Sequence, residues 1–192
     1  MRNGLRRIAF GVLGTGMIVA VAAGSSAVAA NASVAAPQHA ATAQHAAMAT
    51  KAQWQSLSWP AVRQTAYGNR VRTIQYLLNQ WGFRTPITSY FGPSTTYAVM
   101  AFQRSRGLYP DGIVGNATWP RLVVTVRRGS RGYAVAAVQS YLVRGYRYPL
   151  TVDGVFGSRT DKAVRWFQFR YRLRPDGIVG VATWNALVRN AL

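Results

Sequence analysis

Pro110-Asp111-Gly112-Ile113-Val114-Gly115-Asn116-Ala117-Thr118-Trp119 is the stretch on which the fold depends, because the chain contains it twice. The second copy, Pro175-Asp176-Gly177-Ile178-Val179-Gly180-Val181-Ala182-Thr183-Trp184, lies 65 positions later and differs at one position in ten. A match of this length indicates an internal repeat rather than coincidence. We therefore predict two copies of one small unit.

The similarity continues upstream of the repeated stretch. At the same offset of 65, Phe91-Gly92 matches Phe156-Gly157, and Phe102-Gln103 matches Phe167-Gln168. With one gap, the match extends to three more pairs: Val71 with Val135, Gln75 with Gln139, and Leu78 with Leu142. Each unit is therefore about 60 residues long, a size at which packing of one repeat on the other would add useful burial.

Apolar spacing predicts three helices in each unit. In the first unit, apolar residues three and four apart follow Gly68 and predict a helix that stops at Gly82. A second helix should begin at Gly92-Pro93 and end near Gly107, and a short third helix should contain Trp119. The second unit repeats this plan, and no alternating strand pattern of useful length is present. The predicted class is all-α, with two tandem three-helix units and with Phe102 and Phe167 among the core residues.

The composition excludes some kinds of site but leaves several classes of binding partner open. The 192 residues include 23 Lys and Arg but only four acidic residues, all Asp, for a formal net charge of +19. Such a chain should associate with polyanions: nucleic acid, an anionic membrane or an anionic cell wall. The absence of cysteine excludes a disulfide framework and a thiolate zinc site.

The N-terminal region has the layout of a secretory signal peptide. A positively charged start, an apolar stretch from residue 8 to 23 and an Ala-x-Ala site predict a signal peptide over 1–29. An uncleaved membrane anchor is the alternative, since the apolar region is just long enough to span. Residues 30–53 read as a disordered Ala/Gln-rich spacer, followed by the first unit over 54–124 and the second over 125–192. Trp54 and Trp59 should cap the first unit. We expect a secreted or wall-associated protein with no membrane span after cleavage and no nucleic-acid partner.

With both units laid out, the sequence resembles the peptidoglycan-binding-like domain family, three-helix wall-targeting modules attached to many bacterial cell-wall hydrolases. The second unit carries the family's Asp-Gly-x-Phe-Gly-x-x-Thr run from Asp153 to Thr160 and its Asp-Gly-x-x-Gly-x-x-Thr-Trp run from Asp176 to Trp184. The first unit departs at Thr88-Ser89, where the family has Asp-Gly. The resemblance implies a shallow cleft for wall fragments at these loops.

Residues for catalysis are lacking. A glycosidase usually needs a carboxylate pair, but Asp111 and Asp176 occupy equivalent turns. His39 and His45, the only histidines, both lie in the spacer, so a metal site or a Ser-His-Asp triad is not expected. We predict no enzyme activity, no cofactor and no metal.

The candidate ligand-binding residues are those of the repeated loops and the helices beside them. They are Gln103, Asp111, Thr118, Trp119, Asp153, Gln168, Asp176, Thr183 and Trp184. Two interpretations stay open for each: a local role in turns and packing, which we favour, and direct contact with a ligand.

One helix face of the second unit is basic and aromatic, unlike its counterpart in the first. At 100° per residue, five side chains lie opposite the predicted core: Lys162, Arg165, Trp166, Phe169 and Arg172. Cations beside exposed aromatic rings suit an anionic wall polymer. Alternatively, Trp166 and Phe169 pack against the other unit or against the Trp54–Trp59 segment.

The sequence therefore favours a secreted, non-catalytic peptidoglycan-binding protein. A regulatory or inhibitory partner of a wall hydrolase or protease is one alternative. A cationic protein that coats polyanions or membrane surfaces is another.

Overall fold

The computed structural model describes residues 57–190, which form six helices and no strands. They are α1 (Asn69–Gln80), α2 (Pro93–Ser105), α3 (Trp119–Leu122), α4 (Tyr133–Tyr146), α5 (Ser158–Arg170) and α6 (Val181–Arg189). The predicted class, two tandem three-helix units, is confirmed. Within 57–190, no helix is long and apolar enough to cross a membrane. The predicted signal peptide, the spacer with its two histidines, and Trp54 lie outside these residues.

The first two helices end slightly before the glycines that the sequence marks as stops. Helix α1 ends at Gln80 and α2 at Ser105, and both Gly82 and Gly107 have positive φ, at 85° and 64°. A residue in this left-handed conformation terminates a helix, and glycine adopts it without a steric penalty.

Each unit begins with an extended segment that pairs with its repeated loop. Val62 and Val114 exchange backbone hydrogen bonds at 3.1 and 2.8 Å, and Val126 and Val179 exchange them at 3.3 and 2.8 Å. Trp59 is buried and stacks on Trp119 at 5.7 Å between ring centroids, so it covers that indole. The structural repeat thus starts before Gly68.

The two units pack on each other through their first helices. Gln80 at the end of α1 accepts a hydrogen bond from the Ala134 N–H at the start of α4. At the start of α1, the Arg70 guanidinium donates to the Val188 carbonyl of α6 at 2.6 Å. Buried apolar residues of both units form one continuous cluster, which includes the predicted core residues Phe102 and Phe167.

Candidate functional site

Four buried glutamines organise the loops that the sequence singles out. In the second unit, Gln168 Nε2 donates to Asp176 Oδ1 at 3.0 Å and to the Ile178 carbonyl at 2.9 Å. Its Oε1 accepts a hydrogen bond from the Gly177 N–H at 2.9 Å. Thr183 Oγ1 lies 3.3 Å from the same Nε2. One side-chain amide therefore ties the end of α5 to the whole Asp-Gly turn.

The same arrangement recurs three more times. Gln103 contacts Asp111, Gly112, Ile113 and Thr118, and Gln139 contacts Asp153, Gly154, Val155 and Thr160. At Gln75 the hydroxyl of Thr88 stands where the other loops have an Asp oxygen, at 3.3 Å from Nε2, and Oε1 accepts from both Thr88 and Ser89 N–H groups. Each unit thus contains two glutamine-anchored turns, and the Thr88-Ser89 departure keeps the anchored geometry with a weaker acceptor.

This anchoring leaves the glutamine and threonine candidates little surface for a ligand. Gln103, Gln168, Thr118 and Thr183 are all buried. Polar groups at such depth are retained where partners satisfy them, and here the partners are the loop backbone and the neighbouring aspartates. These four side chains set the shape of the loops.

The two tryptophans of the repeat are also enclosed. Trp119 and Trp184 have no exposed surface. Their indole N–H groups donate to the carbonyls of Pro60 and Val124, each at 2.8 Å, which holds the extended segment of each unit against its last helix. Neither indole offers a face on which a sugar ring could stack.

The aspartates lie at the outer edge of the same turns. Asp111 and Asp153 are exposed and Asp176 is half-buried. The N–H of Val155 and the amide of Gln139 both donate to Asp153 and hold the pKa of that carboxyl below its usual range. Its contribution to stability is accordingly present above the ordinary Asp pKa and is lost as the pH falls through the lowered value.

A small concavity lies beside each anchored turn of the second unit. One, of about 240 Å³, is lined by Leu150, Asp153 and Arg159 among others, and the second, of about 250 Å³, is lined by Leu173 and Asp176. The two are lined at equivalent positions, as expected from the duplicated turn. Both are places where the loops could receive a ligand.

The predicted basic and aromatic face is exposed. Trp166 and Phe169 are 43% and 76% exposed, and Lys162, Arg165 and Arg172 are exposed as well. The Trp166 ring lies 5.8 Å from that of Tyr148, in its own unit. Arg165 is not free, because it pairs with Asp161 at 2.9 Å and donates to the Pro175 carbonyl. Lys162 and Arg172 therefore carry the available charge of this face.

Among residues 57–190, no three His, Asp or Glu side chains are grouped closely enough to hold a metal ion. All four aspartates are engaged, three by glutamines and Asp161 by Arg165.

Comparison with known proteins decides the family. The family model of the peptidoglycan binding domain matches residues 67–122 and 131–187, most of the described chain. This chain belongs to that family. The resemblance seen in the sequence is thus confirmed for both units, including the first unit with its Thr88-Ser89 departure.

Curated relatives match this chain over part of their length. An N-acetylmuramoyl-L-alanine amidase, CwlM, of Mycobacterium tuberculosis is 38% identical over 50% of this chain and 27% of that protein. A zinc D-Ala-D-Ala carboxypeptidase of Streptomyces albus G is 35% identical over 50% of this chain and 38% of that protein. A Bacillus licheniformis protein named "Probable N-acetylmuramoyl-L-alanine amidase" is 29% identical over 70% of this chain and 46% of that protein. The chain thus spans less than half of these three relatives.

Two solved structures each match about a third of this chain. A peptidoglycan-binding protein of Clostridioides difficile, crystallised with glutamine hydroxamate, is 40% identical over 33% of this chain and 40% of that one, with a TM-score of 0.33. The SleB N-terminal domain is 39% identical over 35% of this chain and 92% of that one, with a TM-score of 0.34.

The candidate residues include only half of the anchoring glutamines and half of the threonines that follow each turn and contact them. Gln75, Gln139, Thr95 and Thr160 belong to the same networks as the candidates that were chosen. The signal was present, since a turn followed by Gly and then Thr at the same spacing occurs four times, as in Thr88 to Thr95. The chain therefore also repeats within each unit, and not only between the units.

Proposed function

We propose that the protein is a secreted, non-catalytic cell-wall protein that binds peptidoglycan through two tandem modules. The observation that carries the proposal is the family match in both units, which together account for most of residues 57–190. The names of its relatives refer to bonds of the peptidoglycan polymer, the N-acetylmuramoyl-L-alanine and D-Ala-D-Ala linkages. Attachment to that polymer is the property that a binding region would lend to such enzymes.

The engagement of every aspartate supports a role without catalysis. A general acid or base needs a carboxyl group that can approach a substrate with an adjustable proton. Asp111, Asp153 and Asp176 each accept hydrogen bonds from a glutamine and from the backbone. These contacts occupy the carboxylate oxygens and make the three side chains parts of the turn.

We assign ligand contact to the rims of the anchored turns. The concavities beside Asp153 and Asp176 are open, and buried glutamines and threonines hold the turns beside them. The tryptophans hold the extended segment of each unit against its last helix. On this view the candidates Gln103, Gln168, Thr118, Thr183, Trp119 and Trp184 are positioning residues. The aspartates and the adjoining backbone would meet the wall polymer.

Co-sedimentation of the protein with purified peptidoglycan sacculi, stripped of teichoic acid, tests the proposal. Measurements at about 50 and about 500 mM salt separate shape recognition from charge, because nonspecific ionic contacts weaken steeply as salt rises. We expect most of the binding to survive at the higher salt. Loss of all binding there would sink the proposal and favour the polyanion-coating alternative.

The exposed basic face should contribute only the salt-sensitive part of wall binding. Lys162→Gln combined with Arg172→Gln removes its two available charges, whereas Arg165 is left in place because it holds Asp161. We expect weaker binding at low salt and unchanged binding at high salt, measured on the same sacculi. An unchanged salt dependence would remove this face from the mechanism.

A further inference from the structure

The two units differ at the end of their first helices. In the first unit, Trp81 packs 6.3 Å from Phe102 and donates its indole N–H to the Leu122 carbonyl. The Arg106 guanidinium lies 4.0 Å over one face of the same indole. The aligned residue of the second unit is Gly145, which has no side chain, and Arg106 is replaced by Tyr171.

An open cleft lies beside Gly145. It has a volume of about 520 Å³, within the range that suits a small ligand, and its aromatic wall is formed by Tyr146, Trp166 and Tyr171. Tyr146 and Tyr171 also contact the buried Phe167 ring, at 5.1 and 4.6 Å. The wall is therefore supported from the core, and Arg170 and Arg189 stand at its edge.

The charge around the cleft is strongly positive. The segments that form it, residues 141–150, 166–174 and 185–190, contain six arginines and no acidic residue. Helices α4, α5 and α6 all end here, and each C-terminus contributes about half a negative charge. Six full positive charges outweigh that contribution. Neither Arg170 nor Arg189 has a carboxylate partner within residues 57–190.

We propose that this cleft binds a peptidoglycan fragment through a free carboxylate. Arg170 and Arg189 take the carboxylate, and the aromatic wall takes the adjoining sugar ring or peptide plane. Arginine forks match carboxylate geometry, and exposed aromatic faces suit sugar rings and flat amides. A glycerol-phosphate polymer would satisfy the arginines but has no ring to place on the wall. The inference rests on the proposed function and adds a ligand class and a second site, away from the anchored turns.

Filling the cleft tests the site. Gly145→Trp supplies the side chain that the first unit has, whereas Gly145→Ala leaves the cleft open. An added Cβ meets only Tyr141 Cδ1, at 3.7 Å, an ordinary contact, so the backbone accepts a Cβ at this position. A third variant, Arg170→Gln with Arg189→Gln, alters exposed side chains only. Calorimetric titration with a soluble disaccharide-peptide carrying a free terminal carboxylate measures binding.

We expect Gly145→Trp and the double arginine variant to weaken fragment binding by about tenfold or more, the scale of a lost charge-assisted contact. Gly145→Ala should bind as the wild type does, and amidation of the fragment's carboxylate should reproduce the loss in the wild type.

Several results would overturn the assignment. If the variant with both Arg170→Gln and Arg189→Gln binds the fragment as tightly as the wild type, the cleft is not the site. This conclusion holds whether or not the Gly145→Trp variant folds. A wild type that binds sacculi but not the soluble fragment also refutes it. If the variants lose binding to teichoic acid but still bind the fragment, the cleft is instead a site for a phosphodiester polymer. Failure of the wild type on stripped sacculi would instead count against the proposed function.

Discussion

Thr65 has a backbone conformation that costs free energy. Its φ is 74°, in the left-handed region, and at the equivalent position the second unit has Gly129 with φ 91°. A β-branched residue is strained in this region, whereas glycine enters it freely. The Thr65 side chain is exposed, so it gains little burial in return.

We expect Thr65→Gly to raise the free energy of unfolding by about 1 kcal/mol. The relief of left-handed strain, about 1–2 kcal/mol, exceeds the extra chain entropy that glycine gives the unfolded state. Urea denaturation measures the change. The matched control is Gly129→Thr, which should destabilise by a similar amount because nothing lies within 4 Å of an added Cβ there and only the backbone is strained. A destabilising Thr65→Gly would contradict this account.

The sequence predicted which residues form the turns, but it left open whether each of them holds the loop or contacts a ligand. The repeated Asp-Gly turns located both loops, and the local interpretation of the glutamines fits their burial and full set of partners. Trp59 was predicted to cap the first unit and it stacks on Trp119, but the hydrogen bond from the Trp119 indole to the Pro60 carbonyl could not be predicted, because Pro60 lies outside the repeat that is visible in the sequence. A buried polar side chain also leaves no trace in a hydrophobic pattern.

Helix α4 begins without a capping side chain of its own. Its N-cap residue is Gly132, and the Ala134 N–H is satisfied instead by Gln80 Oε1 from the end of α1, at 3.1 Å. The cap of one unit's helix is thus supplied by the other unit. The sequence predicted both helices, but not this contact, because nothing in a repeat specifies how its copies meet.

We expect Gln80→Ala to lower stability by about 1 kcal/mol, the usual cost of losing an N-terminal cap. Gln80→Glu keeps an acceptor at the same place and adds a negative charge at the positive end of α4, so it should be neutral or slightly stabilising. Thermal unfolding of the two variants beside the wild type decides the matter. Equal losses in both would mean that the amide group, and not its oxygen, makes the important contact.

The interface between the two units lies along one face of α1 and one face of α4. On α1 this face is a row of residues three or four apart: Arg70, Thr73, Leu77 and Gln80. The aligned row on α4 contains Ala134, Ala137 and Tyr141. Thr73, Leu77, Ala134, Ala137 and Tyr141 are all buried. The small residues Thr73 and Ala137 permit close approach of the helices but carry no strong hydrophobic signal, so the sequence offered no means of predicting this interface.

A single cooperative unfolding transition is therefore expected for residues 57–190. The buried indole N–H groups of Trp119 and Trp184 report on one unit each, and their NMR signals should disappear at the same urea concentration. Ala137→Arg places an unpaired charge in the interface, at a cost of about 3 kcal/mol or more, and should lower or separate the two midpoints. The same substitution at the exposed Ala117 should leave them together. Two separate midpoints in the wild type would mean that each unit folds alone, and the continuous core would then contribute affinity between units rather than the stability of either one.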